Sequence, residues 1–130
     1  MLNPSEKSTH ILAQLKAFMS EHIYPNEVPY RTALHEAEDR FASMPLMDAL
    51  KDKAKAAGLW NLFVPPEFAQ YSDHGGMSFL DYAPLAEEMG RVIWSPEAFN
   101  CNAPDTGNME VFMKFGTEAQ KRAWLEPLLS

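Results

Sequence analysis

The amino-acid sequence predicts an all-α fold, an antiparallel bundle of about six helices that forms a single domain over residues 1–130. Apolar residues recur at three- and four-residue spacing in several segments, as on the buried face of a helix. Ser, Thr or Asp precedes many of these segments and Gly follows several, which is typical of helix ends. No two segments have the pattern of paired strands, and short connections between helices favour antiparallel neighbours.

The composition limits the class of protein. With 130 residues, 46% hydrophobic and 22% charged, the chain has the size and composition of one globular domain with its own core. The net charge of −7 argues against binding to nucleic acid or to an anionic membrane surface, since both require Lys and Arg. No apolar run approaches the roughly 20 residues of a membrane span, and the first residues lack a signal or transit pattern, so we expect a cytoplasmic protein.

The first half of the chain contains three predicted helices. The first covers residues 5–24, with Ser5 or Ser8 as its cap and Pro25 as a limit on its length. The second covers residues 30–41, with a buried stripe made of Ala33, Leu34, Ala37 and Phe41. The third covers residues 45–57 and is ended by Gly58. We expect a short extended run without a partner strand at residues 59–64 and a polar loop at 67–77.

The second half contains the remaining helices. A helix is expected to start at Ser78, where Ser78 and Asp81 form a capping box, and Pro84 predicts a kink or a later start. Another helical stretch runs from Ser95 toward Cys101. Further on, Asp105 is predicted as the N-cap of a helix that ends at Gly116.

The last predicted helix begins with a second capping box, formed by Thr117 and Gln120. We expect Glu118 to pair with Arg122 on its polar side. Its apolar face consists of Trp124, Leu125, Leu128 and Leu129. Because the chain stops directly after this apolar helix, we interpret its end as a cut at a domain boundary.

No self-contained catalytic or metal site is predicted. The four histidines are scattered without metal-ligand spacing, and the single cysteine, Cys101, has no His nearby in sequence to activate it. Gly75 and Gly76 lack the Lys and Ser or Thr of a phosphate-binding loop. The residues alone therefore predict a helical domain without a reaction of its own.

Four sequence segments, in order, resemble motifs of the acyl-CoA dehydrogenase family. Residues 58–67, GLWNLFVPPE, are similar to its G-L-W-x-L-x-x-P stretch, and the paired Gly75 and Gly76 follow as in the family. Residues 80–91, LDYAPLAEEMGR, are similar to L-x-Y-A-x-L-A-E-E-x-G-R. Residues 115–128 resemble its G-T-E-x-Q-K-x-x-W-L-x-P-L segment, and residues 103–110, APDTGNME, resemble a motif of one subgroup. The resemblance covers residues from about 10 to 130.

The resemblance implies an enzyme of three domains, of which this chain is the helical N-terminal one. A β-domain and a C-terminal helical domain, both absent from this chain, would hold the flavin adenine dinucleotide (FAD) and the glutamate that removes the α-proton of the acyl thioester. The β-hydrogen would leave as hydride to the flavin, and electrons would pass to an electron-transfer flavoprotein. The family also implies acyl-CoA as substrate, a role in fatty acid metabolism and a homo-oligomer. By this reading the chain alone is inactive and binds no flavin.

The candidate substrate-binding residues also follow from the resemblance, which places residues 99–107 at the floor of the acyl-chain pocket. They are Asn100, Asn102, Ala103, Thr106 and Gly107. Small residues suit a channel for an acyl chain, but the two asparagines are unexpected in an apolar tube. They either cap helix ends and form turns, or recognise a polar group on the acyl chain. An alternative for the whole chain is a stand-alone, non-catalytic helical module for interaction or oligomerisation, which would use the eight methionines on its surface.

Overall fold

The computed structural model describes residues 3–39, 41–42 and 44–130, and this part of the chain contains helices, turns and no strand. The all-α prediction is therefore confirmed. The α-helices are α1 (Glu6–Phe18), α2 (Glu27–Glu36), α3 (Pro45–Ala56), α4 (Phe79–Met89), α5 (Asp105–Phe115), α6 (Glu118–Gln120) and α7 (Glu126–Leu129). Turns of π-helix occupy Met19–Ile23 and Lys121–Leu125, and 3₁₀-helices occupy Tyr24–Asn26, Pro66–Tyr71 and Ser95–Phe99. Because the second π-turn joins α6 to α7, these segments form one continuous last helix.

Most of the predicted caps are present. Ser5 caps α1 by accepting a hydrogen bond from Ser8 N at 3.1 Å. Thr117 and Gln120 form both halves of a capping box. At α5 the prediction is wrong by one position, since Pro104 occupies the N-cap and Asp105 is the first helical residue. There Asp105 still stabilises the helix, because a carboxylate in the first turn is attracted to the positive end of the helix dipole.

At the start of α4 the capping residues also connect two helices. Ser78 accepts from Asp81 N at 3.2 Å, which is one half of the predicted capping box, while the Asp81 carboxylate accepts from Ser78 Oγ at 3.0 Å. The Asp81 carboxylate accepts from Ser5 N, in the cap of α1, at 2.7 Å. At the other end of the pair, Tyr24 Oη donates to the Glu88 carboxylate at 2.9 Å. α1 and α4 therefore run parallel, unlike the antiparallel neighbours expected from short connections, since α2, α3 and a long loop lie between them in sequence.

The buried residues form two clusters that share a border. The larger cluster joins α1, α3, α4 and the 3₁₀-helix Ser95–Phe99. The smaller cluster joins the 59–64 run to α5 and the last helix, and consists of Phe63, Val64, Met109, Met113 and Leu125. Tyr82 and Cys101 pack against both clusters. Six of the eight methionines are buried in these clusters, as core residues: Met19, Met47, Met77, Met89, Met109 and Met113.

The predicted apolar stripe of α2 is largely exposed. Tyr30 is the buried residue of this helix, and it stacks on Trp94 with ring centroids 4.2 Å apart. Leu34 and Phe41 are 42% and 88% exposed. α2 ends at Glu36, five residues before the end of the predicted helix, so Phe41 lies in a turn beyond it. Leu34 lies one turn beyond the contact between Tyr30 and Trp94.

Two predictions about the last helix are also wrong. Trp124 is 62% exposed, while Leu125 is fully buried. Glu118 pairs with Lys121 at 3.2 Å, not with Arg122. The π-turn at Lys121–Leu125 provides the reason, because a wider turn shifts the residues after it around the helix relative to a regular α-helix.

Candidate functional site

The five candidate substrate-binding residues lie in the turn between the 3₁₀-helix Ser95–Phe99 and the start of α5. Asn100 adopts a left-handed conformation with φ of 54°, which ends the 3₁₀-helix and redirects the chain. Its backbone N–H donates to Glu97 O at 3.1 Å, and that of Cys101 donates to Pro96 O at 2.9 Å. The peptide bond between Ala103 and Pro104 is cis.

Four of these residues form an accessible surface that we call the exposed turn: Asn102, Ala103, Thr106 and Gly107. Ala103 and Gly107 are exposed, and Asn102 and Thr106 are half-buried. A Cβ atom added to Gly107 would meet no atom within 4 Å. Thr106 N donates to Asn102 O at 3.1 Å, which fixes the start of α5 to the turn. Small side chains with open space beside them leave room for another group to approach.

Asn100 differs from the other four because its side chain points into the protein. It is 9% exposed, and its amide nitrogen donates to Asn61 Oδ1 at 2.7 Å and to Leu128 O at 2.8 Å. Both amide N–H groups of Asn100 therefore have acceptors inside the domain. The turn-forming interpretation of Asn100 agrees with this geometry, whereas Asn102 makes only a 3.5 Å contact with the neighbouring Ala103 O.

Two more side chains reach the same end of the last helix. The Asn61 amide and the Trp60 indole N–H both donate to Leu129 O at 2.8 Å. We call these three side chains, the indole of Trp60 and the amides of Asn61 and Asn100, the amide clamp. The sequence analysis did not single out Trp60 or Asn61, although Asn61 is a polar residue inside an apolar run. Its φ of 56° is the second left-handed conformation of a non-glycine residue in the described part of the chain.

Beneath the exposed turn, Cys101 and Tyr82 provide packing rather than reactive groups. Burial raises the pKa of the Cys101 thiol to about 11, so the thiol stays protonated at neutral pH and is a poor nucleophile. The pKa of the Tyr82 hydroxyl is also raised, by burial first and then by the neighbouring Cys101. The arrangement can shape a surface, but it does not supply a base or a nucleophile.

Three concave surfaces are lined by residues other than those of the exposed turn. Cavities of about 630 and 350 Å³ flank α2 near Leu34 and Phe41. A third, of about 370 Å³, lies beside Trp60 and the end of the last helix. Within residues 3–39, 41–42 and 44–130, no group of three or more His, Cys, Asp or Glu side chains is arranged to hold a metal ion. No helix in the same ranges is long and apolar enough to cross a membrane.

Comparison with known proteins gives consistent matches. A sequence model of the acyl-CoA dehydrogenase N-terminal domain matches residues 5–130. The chain is 47% identical over 128 residues to acyl-CoA dehydrogenase family member 11 of Gallus gallus, covering 96% of this chain and 16% of that protein. It is 45% identical over 132 residues to the probable acyl-CoA dehydrogenase FadE2 of Mycobacterium tuberculosis, covering 96% of this chain and 30% of that protein.

A solved structure matches in fold as well as in sequence. It is that of a putative acyl-CoA dehydrogenase from Mycobacterium abscessus, with a TM-score of 0.86 and 42% sequence identity. The match covers 98% of this chain and 32% of that one. The chain thus spans about a third or less of the length of these relatives.

Proposed function

This chain belongs to the acyl-CoA dehydrogenase family as an N-terminal domain, and we propose that it serves a flavin-dependent enzyme that dehydrogenates an acyl-CoA thioester between its α and β carbons. The FAD and the catalytic base belong, in this proposal, to a β-domain and a C-terminal helical domain outside residues 1–130. The role of this domain is to contribute part of the acyl-chain pocket and to pack against those domains.

The accessibility of the exposed turn is the single observation that carries the pocket assignment. Asn102, Ala103, Thr106 and Gly107 present small or polar side chains at the start of α5, where Ala103 and Gly107 are exposed and Gly107 has open space beside it. A channel for an acyl chain needs small wall residues and few polar groups. Asn100 belongs to this set as the residue that holds the turn from inside, and Asn102 is the side chain available to a polar group on the acyl chain.

Substitution of Ala103 by phenylalanine in the complete enzyme tests the pocket assignment. The ring would occupy the space of several methylenes, each worth roughly 0.8 kcal/mol of binding. Losing room for three methylenes costs about 2.4 kcal/mol, so kcat/KM for long acyl-CoAs should fall roughly fiftyfold relative to short ones. The measurement is the ratio of kcat/KM for long and short acyl-CoAs in wild type and Ala103→Phe.

A matched control separates the pocket from general overpacking. Ala49 is an exposed alanine on α3, away from the turn, so Ala49→Phe should leave the chain-length ratio unchanged. Because Ala103 is also exposed in this domain, its substitution should barely lower the melting temperature of the chain alone. An unchanged ratio in Ala103→Phe together with a lower melting temperature would make Ala103 a packing residue and remove it from the site.

The proposal includes the partners that the family implies. These are an acyl-CoA substrate, an electron-transfer flavoprotein as electron acceptor and a second copy of the enzyme in a homo-oligomer. Reduction of an added electron-transfer flavoprotein by the complete enzyme, dependent on acyl-CoA, tests the electron route. Sedimentation of the complete enzyme tests the homo-oligomer. The cytoplasmic location stays a prediction from sequence, to be checked by fractionation.

A stand-alone interaction module is the second candidate, and the exposed apolar side chains favour it. Phe79 and Ile93 are 84% and 94% exposed. The methionines, by contrast, give this candidate little support, because six of the eight are in the core. One measurement distinguishes the two candidates. A complete gene product that dehydrogenates acyl-CoA with bound flavin supports the enzyme, and one that lacks this activity supports the interaction module.

A further inference from the structure

The amide clamp binds the backbone of the last helix at two neighbouring residues. The Trp60 indole and the Asn61 amide donate to Leu129 O, and the Asn100 amide donates to Leu128 O, all at 2.8 Å. These three side chains therefore join the 59–64 run and the exposed turn to one turn of the last helix.

Asn100 is the member of the clamp that also determines the path of the exposed turn. Its left-handed backbone starts the segment that leads through Asn102 to α5. Its side chain holds the carbonyl of Leu128, 28 positions later in the chain. Asn61 supports it twice, since Asn61 Oδ1 accepts from the Asn100 amide and Asn61 N donates to Phe99 O at 3.2 Å. One buried residue thus joins the exposed turn to the end of the last helix.

We propose that Asn100 is a positioning residue for acyl-CoA binding, which fixes the position of the exposed turn relative to Leu128 in the last helix. This inference rests on the function proposed above. In this proposal Asn100 does not bind the substrate through its amide N–H groups, because both are used inside the domain. It acts through Asn102, Ala103, Thr106 and Gly107, whose positions follow from the direction in which the chain leaves residue 100.

The variant Asn100→Gly separates the effect of the side-chain amide from that of the backbone conformation. Glycine adopts the left-handed conformation without strain, so the turn can form while the amide is lost. In the complete enzyme, we expect KM for long acyl-CoAs to rise on the order of thirtyfold, the factor for the two hydrogen bonds of ordinary net strength that the variant loses. KM for short acyl-CoAs and kcat should stay close to wild type, because short chains do not reach the turn.

Trp60→Phe is the matched control. It removes the indole donor to Leu129 O, keeps the aromatic ring and leaves the bonds of Asn100 unchanged. A purely structural loss at the end of the last helix should therefore appear equally in Trp60→Phe and in Asn100→Gly. A positioning role should change the KM ratio in Asn100→Gly alone.

Hydrogen exchange of the same proteins gives a readout that does not depend on activity. We expect faster exchange at the amides of residues 102–107 in Asn100→Gly and not in Trp60→Phe. Should Asn100→Gly not fold, Asn61→Gly serves instead, since it removes the acceptor of the Asn100 amide and keeps its own left-handed backbone. Unchanged exchange and KM ratio in the glycine variant, or the same changes in Trp60→Phe, would overturn the inference. A wild-type enzyme without dehydrogenase activity refutes the proposed function, and with it the claim that Asn100 positions an acyl-CoA site, whatever the exchange data show.

Discussion

Gly107 and Gly76 are two glycines with opposite surroundings. Gly107 lies in the first turns of α5 with open space beside it. Gly76 has φ of 79°, and a Cβ atom there would lie 2.6 Å from Pro66 Cα. Substitution by alanine tests both positions, because it adds only a methyl group.

Gly107→Ala should stabilise the chain. Alanine is favoured over glycine within a helix by roughly 0.5–1 kcal/mol, and no neighbour obstructs its methyl group. For a domain of this size we expect the melting temperature to rise by about 2–4 °C. Gly76→Ala is the control and should lower the melting temperature, since its Cβ would collide with backbone atoms. A lower melting temperature in Gly107→Ala would mean that the space beside α5 is not open in solution.

Cys101 should make the stability depend on pH in the alkaline range. Burial raises the pKa of its thiol to about 11 in the folded state, above the ordinary value that it regains on unfolding. The unfolded chain therefore loses this proton first, and the contribution to stability is full below about pH 8.5 and is lost as the pH rises through 11. The urea midpoint of wild type should fall between pH 8 and pH 10.5 by more than that of Cys101→Ala. Equal decreases in the two proteins would show that the thiol is not protected by burial.

At the level of elements, one carboxylate connects the first turns of two parallel helices. Asp81, in the first turn of α4, accepts from the backbone of Ser5, and this bond is the main cause that holds the pKa of its carboxyl below the ordinary value. The unfolded chain therefore binds the proton first as the pH falls. This contribution to stability is full above about pH 4 and is lost at lower pH.

Asp81→Asn should reduce the loss of stability in acid. The amide keeps the shape of the side chain but carries no charge, so protonation can no longer weaken the bond to Ser5. We expect the difference in urea midpoint between pH 6 and pH 3 to be smaller than in wild type. Asp73→Asn, in the exposed loop before α4, is the control. A difference as large as that of wild type would show that Asp81 does not carry this pH dependence.

The elements that the sequence predicted well are those whose signals are local. The helix from Pro45 and the capping box of Thr117 depend on residues within one turn of each other, and both are present. The exposure of Trp124 was missed because it depends on a π-turn, which has no pattern of its own in the sequence. The parallel direction of α1 and α4 was missed because α2, α3 and a long loop separate the two helices in sequence, so no local signal relates their directions.

The residues of the candidate site also divide into those with a local sequence signal and those without one. The residues of the exposed turn were predicted together because they lie within six positions of each other and three of them belong to a family motif, and their role in binding stays a prediction. Asn61 and Trp60 were not found, since their bonds to the end of the last helix join residues 68 and 69 positions apart. Neither hydrophobic periodicity nor helix propensity indicates a contact between residues so far apart in sequence. The left-handed backbone at Asn61 is visible only in the structure, although a lone Asn in an apolar run is a local signal of a polar role.

At the level of the whole molecule, we expect the chain alone to bind no flavin and to have no dehydrogenase activity. In the function proposed above, the FAD site lies in domains outside residues 1–130, and this chain spans about a third or less of the length of the matched relatives. The purified chain should be colourless, without the visible absorbance band of a flavin after incubation with FAD. The complete enzyme, treated identically, is the control. A yellow chain with stoichiometric flavin would contradict this division of roles.

The isolated chain should also associate with itself. Phe79, Ile93 and Phe115 are all more than 70% exposed, and contiguous apolar surface tends to find a partner. Sedimentation should show a mass that rises with concentration, together with binding of a dye for apolar surfaces. Ile93→Ser and Phe79→Ser should lower both signals. A strictly monomeric chain at high concentration, with no dye bound, would show that these side chains are too dispersed to act as a patch.

The amide clamp has a consequence for the time at which this domain can fold during its synthesis. Its donors, at positions 60, 61 and 100, are made well before their acceptors at positions 128 and 129. Until residues 128 and 129 leave the ribosome, one N–H group on each of Trp60, Asn61 and Asn100 lacks its protein acceptor, and enclosing the two buried asparagines would be costly. We infer that the region around residues 60–100 stays loosely packed in the growing chain and packs fully only after residues 128 and 129 have been made.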